Sequence, residues 1–508
     1  MAGKLSSGAL GARRALSSVT LVGVLMAVGM AVAAIFFGLL SVTESPMLIA
    51  VGVALIMGPV LLLRQDLTVW VILVVGFLMG VLSANPQLGK VTWIVSMLST
   101  LLLLPALINL LWTPERKLPG FLRLALMFLF FSILSSAVNW YSVPEFVGGF
   151  KHYFQTYGLM LALTLIVFTP EQMGRWRKFL YFIALLQLPF ALYELLVLVP
   201  MRGGIGLSSE TTDVVAGTFG ANLEGGSPNS VMVMFLFIAM AFLTARWRAG
   251  LLGNRLFYVS MAICFLPLGM GETKFAVVLL PIVGLSLLRI DILRNPVKFL
   301  PTIIGLCVVT AVLGYIYVVL MMRASLGEVI DSTLRYNVGE QGYSKTMVLN
   351  RMTSLTFWFS QQHWNDPVSF LVGNGLGSSY TSTGTVIGHM GAKYLQYGIN
   401  LTAASTILWD TGVIGLAMYI GIFVAAWFAA GKLYKQVDDP GVRADALAIQ
   451  ACNVIFLFSL IYSDSIVNLV SMELIYAVVL GYLGYLMNHH KVLEPKFSRA
   501  RKRPAHGA

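Results

Sequence analysis

The chain has 508 residues, 58% of them hydrophobic and 11% charged, with a mean hydropathy of +0.82. A soluble domain carries roughly 25% charged residues, so this balance excludes a soluble globular protein and specifies an all-α integral membrane protein. The net charge of +12 does not imply nucleic acid as a partner, because the cations fall in the connections between apolar runs.

In chain order, residues 1–17 carry Lys4, Arg13 and Arg14 and precede an apolar run over 18–40. That run has the roughly 20 residues of a spanning helix, longer than a cleaved signal core, and is read as a retained first helix. The same criterion predicts about 14 transmembrane helices with one large extracytoplasmic loop. Their expected limits are 18–40, 47–63, 67–84, 92–112, 119–138, 153–169, 179–200, 229–245, 256–271, 273–290, 299–321, 412–431, 444–463 and 470–487. Spans one to eleven thus occupy 18–322, the large loop 323–401, and a partial helix with the last three spans 402–487. Residues 488–508 form a basic tail suited to anionic lipid. Cys264, Cys307 and Cys452 all lie in apolar runs and read as core packing rather than disulfides or metal ligands.

An even span count puts both termini on one side. With that side cytoplasmic, 25 of the 34 lysines and arginines are inside. The others, Lys90, Lys151, Arg202, Lys274, Arg323, Arg335, Lys345, Arg351 and Lys393, are outside. The positive-inside rule selects this orientation. No fixed-period repeat is visible, and the large loop has no counterpart in the first half, which disfavours a transporter built from matching repeats.

The outer cations are the first functional candidates. Arg202, Lys274, Arg323, Arg335 and Arg351 lie near span ends or in the loop, where they can converge on an interfacial anion; arginine pairs with phosphate bidentately and lysine acts as a point charge. A Gly-rich connection over 201–230 contains Thr218-Phe219-Gly220 and ends at Pro228-Asn229, where Asn229 or Ser230 is expected to cap the next span. The turn Gly271-Glu272-Thr273-Lys274 places two charges at a span boundary, where charge is costly and is usually paired or functional. In the loop, Asn350-Arg351 opens a helical run with Trp358, Trp364 follows, and Gly373-Asn374-Gly375-Leu376-Gly377 precedes Tyr380 and Tyr394. These aromatics suit either sugar stacking or an interfacial belt. No histidine pair has metal-ligand spacing, so no metal or other cofactor is expected. His389 stands alone late in the loop.

The order of these features resembles the bacterial O-antigen polymerase and O-antigen ligase superfamily. The likeness runs from about Thr218 to Leu416: the Thr218-Phe219-Gly220 to Asn229 stretch, the charged turn, Arg351 ahead of a tryptophan helix, the Gly373–Gly377 turn, and Leu408-Trp409-Asp410-Thr411-Gly412 leading into the next span. The resemblance implies transfer of a glycan from an undecaprenyl-diphosphate carrier to a second carrier-linked unit (polymerase) or to lipid A core (ligase). It implies that Lys274 and Arg351 hold the diphosphate, with Arg202, Arg323 and Arg335 as helpers, and that Trp358, Trp364, Tyr380 and Tyr394 meet the glycan. A flippase and a chain-length co-polymerase are the implied partners. Many members carry a His-Asn pair where this chain has Leu401-Thr402. The general base is therefore sought in His389, Glu272 or Asp410, with His389 favoured over Asp410 because histidine as a residue type is best suited to proton transfer near neutral pH. The reading from another class is a lipid-linked oligosaccharide flippase, which is expected to line a central cavity with charge.

Overall fold

A computed structural model of the protein describes residues 58–83, 92–113, 116–202, 214–221, 227–271, 274–316, 349–362, 367–381 and 386–493, with isolated positions between 327 and 339. The chain divides into two units, Met1–Thr68 and Val69–Ala508. Of the first, residues 58–68 are described; the Thr68 hydroxyl donates to the Leu61 carbonyl at 2.6 Å. The expected span 18–40 and most of 47–63 lie outside the described residues.

Regular structure among the described residues is helical throughout. In order come α1 (Gln65–Phe77), α2 (Met79–Ser83), α3 (Thr92–Trp112), α4 (Gly120–Val138), α5 (Val143–Phe154), α6 (Tyr157–Leu165) and α7 (Pro170–Met201). Then follow α8 (Ser227–Arg248), α9 (Asn254–Met270), α10 (Lys274–Arg294) and α11 (Pro296–Ile316). Three short helices come next, α12 (Arg351–Ser360), α13 (Pro367–Val372) and α14 (His389–Lys393). The chain closes with α15 (Ala403–Gln436), α16 (Pro440–Tyr462), α17 (Ser465–Asn468) and α18 (Val470–His489). Among the described residues, 8 helices (α3, α4, α7, α8, α10, α15, α16 and α18) are long and apolar enough to cross a membrane. The protein is a multi-pass α-helical membrane protein.

Local chemistry explains the helix starts. Thr169 and Gln172 form a capping box ahead of α7, with Pro170 in its first turn. The Asp439 carboxylate accepts from the Val442 N–H at 2.9 Å to open α16.

Two expected spans are broken. Residues 67–84 divide into α1 and α2. The span expected over 153–169 is the amphipathic end of α5, a break at Gln155–Thr156, and the nine-residue α6, all of it buried. A helix this short leaves backbone groups that lipid cannot satisfy, so it must be wrapped in protein. It packs between α3 and α18. The Leu159 N–H donates to the Ser99 hydroxyl at 3.0 Å. At the break, Gln155 donates to the Glu473 carboxylate at 2.6 Å and accepts from Ser96 at 2.9 Å. The run is apolar, but it is not one continuous spanning helix, and the contacts that wrap its break come from distant helices.

The two ends of the bundle differ in chemistry. At the basic end, the start of α7, the end of α8 and the start of α16 meet at Asp445, where Arg246 donates through Nε and Nη2 at 2.7 and 2.6 Å and the Tyr482 hydroxyl donates at 2.7 Å. Arg177 approaches the same carboxylate at 3.6 Å. There too Asn488, near the end of α18, bonds Lys117 and Thr164. The opposite end holds α5, the α9–α10 turn, α17 and the segment 349–401.

Candidate functional site

The described part of 349–401 forms a compact unit on the kinked start of α15. Trp358, Ile399, Leu408 and Trp409 make its small core, with Phe357, Phe370 and Tyr394 packed around them. Trp358 is 3% exposed and stacks on Phe370 at 5.5 Å. It is a core residue of the unit, with no open ring face for a sugar. Tyr394 leans on Trp409 at 5.4 Å and donates to Gln361 at 3.1 Å.

The resemblance motifs Gly373–Gly377 and Leu408–Gly412 touch directly. Gly412 has φ +66° inside α15, which kinks the helix and frees carbonyls one turn earlier. The Asn374 N–H donates to the Trp409 carbonyl at 2.8 Å, and the Gly375 N–H to the Asp410 carbonyl at 2.9 Å. Gly373 has φ +81°, and a Cβ there would stand 2.4 Å from the Thr411 nitrogen. Only glycine combines that backbone angle with that approach.

Asp410 is buried beneath this turn and its carboxylate is saturated. Oδ1 accepts from the Ser378 hydroxyl at 2.8 Å and the Ser379 N–H at 2.9 Å. Oδ2 accepts from the Tyr153 hydroxyl at 3.1 Å and the Gly377 N–H at 3.2 Å. Four neutral donors make this a folding anchor for the turn, and they leave no lone pair directed at a substrate proton.

His389 stands differently. Its N–H and Nδ1 both meet the carboxylate of Glu145, at 2.8 Å to Oε2 and 2.9 Å to Oε1. Glu145 is 5% exposed, near the start of α5. Because a carboxylate accepts, Nδ1 carries a proton, and in the neutral imidazole Nε2 is then the nitrogen that holds the lone pair. Tyr141 stacks on the imidazole at 4.5 Å, fixing the ring plane. The side chain remains 24% exposed. A histidine oriented by a buried carboxylate, with its far nitrogen toward an accessible surface, is equipped to accept a proton.

Two turns further along α5 lies a second group. The half-buried His152 stacks on Tyr380 at 4.6 Å. Tyr380 donates to Asn468, which donates to Asp464 at 2.8 Å. Burial and the adjacent Lys151 charge push the His152 imidazole down to about 4, so it is neutral at pH 7. Lys151 sits over the Trp93 ring at 3.9 Å, and burial lowers its pKa while Glu473 opposes the shift. Arg351 reaches the other side of the 462–468 turn. Its Nε donates to the Tyr462 carbonyl at 2.5 Å, its Nη1 to Asn337 at 2.6 Å, and the guanidinium lies 4.3 Å from the Tyr462 ring.

The earlier motifs also converge. Asn229 does not cap α8, which begins at Ser227. Its amide instead donates to the carbonyls of Val215 at 2.8 Å and Gly271 at 3.3 Å, joining the connection before α8 to the end of α9. The Gly217–Phe219 turn is held from α7: the Glu194 carboxylate accepts the Ala216 and Gly217 N–H groups at 2.8 and 2.7 Å, and Gln187 pairs with Thr218. Lys274 opens α10 directly after the Gly271 turn. Arg202 ends α7, and its Nη1 has no hydrogen-bond partner among the described residues. Glu272, Arg323, Arg335 and Trp364 lie outside the described residues.

The structure therefore brings His389, Asp410, Tyr380 and Arg351 to one end of the bundle, around α5 and the 462–468 turn. It adds Glu145, Tyr141, His152 and Asn468, none of which is a candidate in the sequence, and Lys151, which the sequence places only among the outer cations. The one available signal was Ser142-Val143-Pro144-Glu145, which reads as an ordinary N-terminal capping sequence; Ser142 does cap α5, but the Glu145 carboxylate turns to His389. No family model matches the chain, and no curated protein matches it.

Proposed function

We propose that the protein is a polysaccharide polymerase that transfers a glycan from a lipid diphosphate to the end of another lipid-linked unit. It acts at the outer face of a bacterial inner membrane, with both termini and the basic end in the cytoplasm and about 14 spans in all. The observation that carries this reading is the Glu145-oriented His389 at the end of the bundle where Arg351 and the start of α10 also lie.

In the proposed reaction an acceptor hydroxyl attacks the anomeric carbon of the donor and gives its proton to His389 Nε2. The bond from that carbon to the diphosphate oxygen breaks, and its electron pair leaves with the diphosphate. Negative charge grows on the leaving group in the transition state, so preplaced cations stabilise that state more than the bound substrate. Arg351 and Lys274 take this role, with Arg202, Arg323 and Arg335 further out. Tyr380, stacked on His152 between the two groups, is the aromatic side chain best placed for the glycan. Asp410 and Trp358 drop out of the chemistry because they are consumed in folding the 349–401 unit.

Purified protein given an undecaprenyl-diphosphate-linked oligosaccharide and no nucleotide is expected to lengthen it. Transfer only to lipid A core would make the protein a ligase, and movement of intact donor across the bilayer without extension would make it a flippase. In cells, Arg351→Ala and Lys274→Ala are each expected to abolish polymer while the protein still accumulates in the membrane. Normal polymer from either variant removes that residue from the diphosphate clamp.

A further inference from the structure

A cavity of substantial size lies at the basic end of the bundle. It has a volume of about 410 Å³ and runs between α7, α8, α9 and α18, with α1 at its inner limit. Phe77, Phe235, Ile238, Ala239 and Leu243 form its apolar wall. Arg177, Lys178, Arg246 and Tyr482 form its rim. Along α8 the lining extends from Arg246 inward to Phe235, about three helical turns or roughly 16 Å. That is half of a hydrocarbon core about 30 Å thick. The cavity therefore begins where headgroups of one leaflet sit and ends near the midplane.

The rim has the charge of a headgroup site. One carboxylate, Asp445, is shared by Arg246, bonded through two nitrogens, and Arg177, at 3.6 Å. Lys178 adds a third cation to the same rim, so positive charge is in excess. Asp445, itself bonded by Tyr482, holds the Arg246 side chain in place, while Arg177, which donates to the Tyr482 hydroxyl at 3.4 Å, is 43% exposed and can turn to an incoming anion. An apolar void of this size forfeits dispersion contacts along its whole lining, and the surrounding leaflet supplies chains of matching length.

We propose that this cavity is a binding site for an anionic phospholipid of the leaflet at the basic end, with one acyl chain inserted along α8 and the phosphate headgroup held by Arg177 and Lys178. The depth favours a single acyl chain over a polyprenyl chain, which is several times longer. This site is independent of the glycan-transfer reading.

The test uses the full-length protein in detergent, with native mass spectrometry and thermal unfolding after adding phosphatidylglycerol, phosphatidylcholine or undecaprenyl phosphate at equal concentration. Phosphatidylglycerol is expected to be retained at one equivalent and to raise the midpoint more than phosphatidylcholine. Lys178→Glu, at an exposed position, is expected to reduce phosphatidylglycerol retention at least fivefold and leave the lipid-free midpoint unchanged. Ala239→Trp fills the channel and is expected to abolish retention of both phospholipids. Equal retention of the two phospholipids by the unmodified protein, or unchanged retention in Lys178→Glu, overturns the headgroup assignment. Displacement of phosphatidylglycerol by an equal amount of undecaprenyl phosphate overturns the phospholipid as occupant.

Discussion

Buried carboxylates organise both ends of this bundle, but with opposite partners. At the basic end Asp445 is held by two arginines and a tyrosine, and its work is to clamp four helices together. At the other end Asp410 and Glu145 are held by backbone N–H groups, hydroxyls and one imidazole. An ion pair fixes two side chains to each other, whereas a carboxylate receiving several backbone N–H groups fixes the path of a loop. The first end joins helices to one another, and the second holds the path of a loop around the Glu145–His389 pair.

The sharpest way to break this contrast is His389→Ala. If the imidazole is the base, turnover on the lipid-diphosphate glycan falls by about 10²–10⁴-fold, while the thermal midpoint stays near that of the unmodified protein. A large loss of stability with activity preserved per folded molecule would make the Glu145–His389 contact another folding anchor. Next in size is Arg246→Ala, which leaves the buried Asp445 with one distant arginine. Removing one partner of a buried pair costs about 3–5 kcal/mol, read as a lower denaturation midpoint, with the rate per folded molecule unchanged. Gly373→Ala imposes a Cβ on both a positive φ and a 2.4 Å approach to the Thr411 nitrogen. About 2–4 kcal/mol of destabilisation is expected, with proteolysis of the 349–401 segment as a second readout. Asp410→Asn replaces an acceptor-only group by one with two donors facing four donors. A cost of about 1–3 kcal/mol is expected, and activity should recover when folding is restored at low temperature; a catalytic acid or base would not recover.

At neutral pH the smallest effect is that of His152, whose contribution appears only as a pH dependence. His152 has its folded pKa lowered to about 4 by burial and by Lys151, below the unfolded value near 6.5. The unfolded state then binds the extra proton, so stability is intact above about pH 6.5 and declines as pH falls toward 4. One proton gives a slope of at most about 1.4 kcal/mol per pH unit. His152→Phe, which keeps the stack on Tyr380, is expected to flatten the midpoint-versus-pH curve over that window.

Legibility followed the range of the interactions. Helices such as α3, α4 and α18 were readable to within a residue or two, because hydropathy over about 20 residues is a local property. The pairing of Gly373–Gly377 with Leu408–Gly412 was anticipated only as an order of motifs; their contact depends on carbonyls freed by the Gly412 kink. The broken span at Gln155 was not readable, since Glu473 and Ser96, which satisfy the break, come from distant helices. Asp410 enters as a candidate base only because Leu401-Thr402 stands where the resemblance expects His-Asn; its four donors come from residues that the sequence does not place beside it.

The sequence by itself determined that this is a helical membrane protein, which stretches interrupt its apolar runs, and which charged residues stand in them, because each is fixed by composition within a short window. Only the tertiary structure decided which of those residues act together. Glu145 and His389 are 244 positions apart, and no local pattern distinguishes a capping glutamate from one that orients an imidazole. That distinction rests on where two backbones are carried by packing, and on which buried polar groups are already satisfied when they arrive.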